Sequence, residues 1–151
     1  MLINIMVGLP TMAVCLVLEA LLLVIAMRFY VGHEAQVSNP SMWASMRILS
    51  GVMMILVIGN IAQVGIWALL FQLLGEFSNF NAAFYHSAVN FATLGYGDIV
   101  MSDEHKLLGP LEAINGVLMI GVSTAVLMTS FQDALKKTIR ARRSSGAVDP
   151  D

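Results

Sequence analysis

Apolar residues run almost unbroken over three stretches, from about Leu2 to Tyr30, from about Ser45 to Leu74 and from about Leu107 to Leu135. At about 1.5 Å per residue each is long enough to cross the roughly 30 Å of hydrocarbon in a bilayer. The pattern predicts three transmembrane helices: an outer, a middle and an inner one. A polar turn from Gly32 to Ser41 joins the first two. It contains Asn39-Pro40, a turn signal, and places Ser41 to cap the next helix. The interval from Gly75 to Lys106 is too polar to be a fourth crossing. Within it, Asn79 to Ala92 predicts a short amphipathic helix, with Asn81 as a candidate cap, followed by glycines and a charge. A short helix running into glycine-rich backbone is the shape of a re-entrant loop. Such backbone survives at membrane depth only inside protein or beside a water-filled path.

Composition agrees with a membrane protein. The chain has 151 residues, 58% hydrophobic and only 12% charged, where a soluble domain has about 25% charged. Charge placement predicts orientation. Five of the eight Lys and Arg residues lie between Lys136 and Arg143, and Arg28 and Arg47 flank the first turn. By the positive-inside rule these mark the cytoplasmic side of a cell (inner) membrane, with the N-terminus outside. A basic cluster directly after an apolar helix reads as an anchor to anionic lipid and not as a nucleic-acid arm. The outward segment carries Glu76, Asp98, Asp103 and Glu104 against Lys106 alone, an acidic vestibule that would concentrate cations. The first apolar stretch is too long for a cleaved signal peptide and lacks a basic leading region, so it reads as a retained helix. The expected organisation is an extra N-terminal helix over 1–31, a pore domain over 44–135 and a tail over 136–151 that is basic, then polar and disordered.

The residues Thr93-Leu94-Gly95-Tyr96-Gly97-Asp98 carry the most specific chemistry. A dehydrated cation needs a cage of oxygens, and backbone carbonyls supply dipoles weak enough to let the ion leave. Successive carbonyls aim at one axis only if backbone angles alternate unusually, and glycine, here at 95 and 97, tolerates that. Thr93 can add a hydroxyl oxygen, Tyr96 can brace the loop from behind, and the preceding helix aims its partly negative end at the cation.

Thr-Leu-Gly-Tyr-Gly-Asp resembles the signature of the potassium-channel pore-domain family, whose filter is Thr-Val-Gly-Tyr-Gly. Ala83-Phe84-Tyr85-His86-Ser87-Ala88-Val89-Asn90-Phe91-Ala92 is similar to that family's pore helix. Leu108-Gly109-Pro110-Leu111, with Gly116 and Gly121 beyond, is similar to the start of its pore-lining helix. The likeness covers about Ser45 to Phe131 and fits a small prokaryotic channel with one extra helix. It implies an all-α membrane fold: three transmembrane helices plus a re-entrant pore helix and filter loop. It implies potassium ions held by the carbonyls of Thr93, Leu94, Gly95 and Tyr96, with Gly97 completing the filter. It also implies a homotetramer of this chain with three identical subunits, since each contributes one loop. Asp98, Tyr85 and His86 would support the filter, Tyr85 by bonding Asp98 and His86 by approaching a Tyr96 hydroxyl. Gly116 and Gly121 would be hinges or packing positions, and Phe131 a gate or interfacial anchor.

The chain departs from the family pattern at Leu94, where Val or Ile is usual, and at Asn90 and Ala92, where relatives often carry Thr. Val89 stands where some simple members have Glu. A non-selective cation channel on the same frame and a non-conducting accessory subunit remain alternatives. Catalysis is not expected, although Ser87, His86 and Asp98 can be drawn as a triad. No cofactor is expected beyond the potassium ions. His33, His86 and His105 are too dispersed for a zinc site. One Arg in the first helix makes no voltage sensor. Glu19, mid-helix among leucines, is expected to make a structural contact between helices, with proton sensing or assembly as alternatives, and Asn60 lies at similar depth as a candidate partner if the first two helices are antiparallel.

Overall fold

A computed structural model describes residues 2–33 and 42–146. The Asn39-Pro40 turn, the Ser41 cap and residues 147–151 lie outside the described residues. Every regular element among the described residues is an α-helix: α1 Leu2–Gly32, α2 Met42–Leu73, α3 Phe80–Phe91 and α4 Leu108–Gly146. Helices are what such a sequence must form in lipid, where no water is present to satisfy open backbone N–H and C=O groups. Three helices are long and apolar enough to cross a membrane, over Leu2–Gly32, Trp43–Leu73 and Leu108–Ala141. The protein is a multi-pass membrane protein. α4 runs on through the basic cluster to Gly146, so the first part of the expected polar tail is helical.

α1 is apolar nearly all round, and its periodicity shows in burial instead. Asn4, Gly8, Cys15, Glu19, Ala26 and Tyr30 are the buried positions, spaced alternately by four and seven, which is one face of an α-helix. The polar Asn4 and Glu19 lie on that face, the inverse of a soluble amphipathic helix. Pro10 removes one backbone donor inside α1, and beside it the Thr11 hydroxyl donates to the Val7 carbonyl at 2.9 Å.

The chain divides into two compact units. The first comprises Met1–Leu21 and Ile58–Gly121. Its core is Cys15, Val64, Trp67, Ala68, Phe71, Ala83, Phe91, Leu108 and Met119. Polar bonds cross it. The Gln63 amide donates to Glu19 Oε2 at 2.8 Å, and Asn4 donates to the Glu104 carbonyl at 2.8 Å. Glu19 therefore contacts Gln63, one turn along α2 from the expected Asn60. The side-chain periodicity of α2, more than equal depth, selects the partner.

The second unit comprises Leu22–Val57 and Val122–Asp151. Its core is Ala26, Tyr30, Ile48, Val52, Leu56 and Ala134. Tyr30 donates to Asp133 at 2.8 Å, and the Ser45 and Thr138 hydroxyls lie 2.9 Å apart. Lys137 reaches the same Asp133 oxygen at 2.7 Å.

Candidate ion-conduction site

α3 is capped by Asn79, the first residue of the expected helix, and not by the candidate cap Asn81. The Asn79 side chain accepts from the Ala82 N–H at 2.8 Å while its own backbone is extended. Asn79 precedes the buried face formed by Ala83, His86, Ser87, Val89 and Phe91, so capping there lets that face start one turn into the helix.

The far end of α3 leads directly into the candidate filter. Ala92 is the C-cap. The Leu94 N–H bonds back to the Val89 carbonyl at 2.9 Å and the Thr93 N–H to the Asn90 carbonyl at 2.8 Å. This pair of bonds is a Schellman motif, which needs a left-handed residue just past the cap. Thr93 supplies it with φ 59, the only positive φ outside glycine among the described residues. Gly95 follows at φ 57 and Gly97 at φ 72. Left-handed residues therefore alternate through the loop at 93, 95 and 97. This is the alternation a ladder of one-sided carbonyls requires. The glycines at 95 and 97 announced it. Thr93 did not, because a β-branched residue rarely adopts this region, at a cost of order 1–3 kcal/mol.

Bonds behind the loop hold it. The Tyr85 hydroxyl donates to Asp98 Oδ2 at 2.8 Å. That bond keeps the Asp98 carboxyl below its ordinary range and pushes the Tyr85 hydroxyl up. His86 Nδ1 lies 2.9 Å from the Ile99 carbonyl and Nε2 lies 2.9 Å from Asn90 Nδ2. With Nδ1–H donating to the carbonyl, Nε2 accepts from the amide, which fixes a neutral tautomer. Burial, partly offset by the Ile99 carbonyl, lowers the His86 pKa and so favours that neutral form. Phe71 meets the ring edge-on at 5.7 Å and Phe77 at a tilt at 5.1 Å. Both His86 nitrogens are thus engaged within the chain, by Ile99 and Asn90 and not by a Tyr96 hydroxyl.

A second brace lies between the end of α2 and the segment that follows the loop. Glu76 accepts from the Ser102 N–H at 2.7 Å, the Ser102 hydroxyl at 2.6 Å and His105 Nδ1 at 2.6 Å. Burial raises its pKa, but these bonds outweigh that and leave it below the ordinary value. Asp103 pairs with Lys106 at 2.8 Å. Three of the four acids of the expected vestibule, Glu76, Asp98 and Asp103, are therefore bonded within the chain.

The loop itself is open. Leu94 is 55% and Tyr96 65% exposed, and a Cβ built on Gly95 or Gly97 would meet nothing within 4 Å. Gly116 is the opposite case. A Cβ there would stand 2.1 Å from the Phe91 carbonyl oxygen, so α4 touches the backbone at the end of α3. Gly121 has open space around it. Phe131 is half exposed and lines, with Met46, Met53, Leu127 and Met128, a groove of about 290 Å³ in the second unit. Ser87, His86 and Asp98 do not form a triad. The Ser87 hydroxyl donates to the Val64 carbonyl at 2.8 Å and is hydrogen bonded to Glu112, while Asp98 is bonded to Tyr85. Among the described residues no three His, Cys, Asp or Glu side chains gather as a metal site.

Glu112 was not singled out by the sequence. It is fully buried. One turn into α4, it looks like an acid at a helix start, and only its place in an otherwise apolar run hints at more.

No solved structure matches the chain. Residues 54–133 match the family model described as "Ion channel", which covers α3, the loop and much of the flanking α2 and α4. With more than half its length matched, this chain belongs to that ion-channel family, the two-helix potassium-channel pore domains.

Proposed function

We propose that this ion-channel protein conducts potassium selectively, as a homotetramer in which four copies of Thr93–Gly97 surround one axis. The observation that carries the reading is the alternation of left-handed residues at 93, 95 and 97 directly after the cap of a short helix. Regular strand or helix does not produce it, and a ladder of carbonyls on one side does. The carbonyls of Thr93, Leu94, Gly95 and Tyr96 would be the ion ligands, with the Thr93 hydroxyl at the inner end. The exposure of Leu94 and Tyr96 supports assembly, because neighbouring copies would supply the packing that one chain lacks. The basic end of α4 favours a cytoplasmic C-terminus, with the N-terminus and the loop facing outward.

The test is to reconstitute the purified chain and measure reversal potential under opposed potassium and sodium gradients. The expected value lies near the potassium equilibrium potential, and Gly95→Ala abolishes the current, because an L side chain is strained at φ 57. Robust current reversing near zero would instead identify a non-selective cation channel, with Leu94 as the first residue to exchange for Val.

A further inference from the structure

Glu112 and Ser87 are both fully buried and hydrogen bonded to one another. The Ser87 hydroxyl also donates to the Val64 carbonyl at 2.8 Å, so one side chain joins α3 to both α4 and α2. One helical turn further along each partner, Gly116 meets the Phe91 backbone, where a Cβ would stand 2.1 Å from the carbonyl oxygen. Ser87 and Phe91 are four residues apart on α3, and Glu112 and Gly116 are four apart on α4. The two helices are therefore matched turn for turn, by a directional bond at one point and backbone contact at the next. A third contact lies nearby, where a Cβ on Gly109 would come within 3.2 Å of Asn90 Nδ2. Phe91 stands two residues before Thr93, the first residue of the loop.

Apolar packing alone fixes such a register poorly in a membrane, because lipid solvates leucine as well as another helix does. A buried carboxyl is costly at membrane depth, and an apolar side chain of similar volume would pack there at less expense. What the carboxyl adds is a unique position.

We propose that Glu112 is a positioning residue for the filter: through Ser87 it sets the register of α3 against α4 and α2, and with it the place where the loop begins. The proposal rests on the reading of the loop as an ion filter, but it can be measured separately from conduction.

The full chain in lipid nanodiscs is compared as wild type, Ser87→Ala, Glu112→Leu and Glu112→Gln. Two readouts are taken: hydrogen exchange of the peptide spanning 93–99, and reversal potential after reconstitution. Ser87→Ala and Glu112→Leu are expected to speed exchange in 93–99 by on the order of tenfold, the loss of about one buried hydrogen bond. They are also expected to move the reversal potential toward zero. Glu112→Gln restores the slow exchange, because its amide can donate to Ser87 while the hydroxyl still donates to Val64. Exchange and reversal potential that stay at wild-type values in Ser87→Ala overturn the proposal. So does a Glu112→Gln chain that behaves like Glu112→Leu. Should Glu112→Leu fail to assemble, Ser87→Ala, which removes a single oxygen, decides alone. A wild type that lacks potassium selectivity would refute the filter reading, and the exchange comparison would still decide the positioning role.

Discussion

The two units of the molecule are held together by different means. In the unit that carries the loop, buried polar groups and bare backbone make the contacts: Glu19 with Gln63, Ser87 with Glu112, and Gly116 against the Phe91 carbonyl. In the other, the interior is Ala26, Tyr30, Ile48, Val52, Leu56 and Ala134, with one buried pair of hydroxyls, Ser45 with Thr138, and a partly buried bond from Tyr30 to Asp133. A side chain rather than backbone makes the tight glycine contact there, the Phe29 ring 2.6 Å from where a Gly51 Cβ would be. Directional contacts permit one arrangement, whereas apolar contacts permit several of similar energy. The unit that carries the loop with alternating left-handed residues is the one richer in directional contacts.

The glycines give the sharpest way to break this comparison. Gly116→Ala drives a methyl into backbone that cannot move aside, and an overpacking cost of about 1–3 kcal/mol or more is expected. Gly51→Ala meets only a ring that can rotate, and about 1 kcal/mol of helix propensity offsets the adjustment. Thermal melts of the two variants in detergent should separate clearly, with Gly116→Ala the lower. Equal melting temperatures would mean that the units differ less than their contacts suggest.

The paired carboxyl and phenol come next. Glu19→Leu leaves the fully buried Gln63 amide without that acceptor, at about 1–3 kcal/mol. Tyr30→Phe removes one partly buried bond, while Lys137 still holds Asp133, and about 0.5–1.5 kcal/mol is expected. Reversal of this order in denaturation midpoints would count against a more demanding interior in the loop-bearing unit.

The smallest effect is one of pH, confined to the bonds around the loop. His86 titrates below its ordinary value of 6.5, so the unfolded chain binds its proton more readily than the folded one. The stability of the brace is present at neutral pH and is lost as pH falls from about 6.5 through the depressed folded value. Glu76, also lowered, contributes above its ordinary 4.5 and loses that contribution only at lower pH still. Exchange of the 93–99 peptide should therefore quicken in two separate acid windows. His86→Phe should erase the upper one, and identical pH curves in the two proteins would rule His86 out.

The spans, the re-entrant helix and the alternation at Gly95 and Gly97 were legible because each is a one-dimensional pattern: apolar length, a polar gap, glycines two apart. The contacts of Glu112, Ser87 and Gln63 were not, because they depend on which faces of three helices meet. In α1 that face is hidden, since residues on both its sides are apolar. Asn81 and Asn79 are equally good caps as residue types, and only the phase of the buried face chooses Asn79. The basic cluster beginning at Lys136 looked like a tail because charge was the only signal there, while the helix passes through it.

Thr93 follows directly on the Ala92 cap of α3 and opens the loop, so no linker lies between them. An added or deleted residue anywhere from Ala83 to Thr93 would turn the exit by about 100° and send the chain off its axis. Slack exists only outside this stretch, before Asn79 and after Ile99. Over evolutionary time the number of residues between 83 and 98 should therefore hold as firmly as the glycines at 95 and 97, and insertions should accumulate before Asn79 and after Ile99.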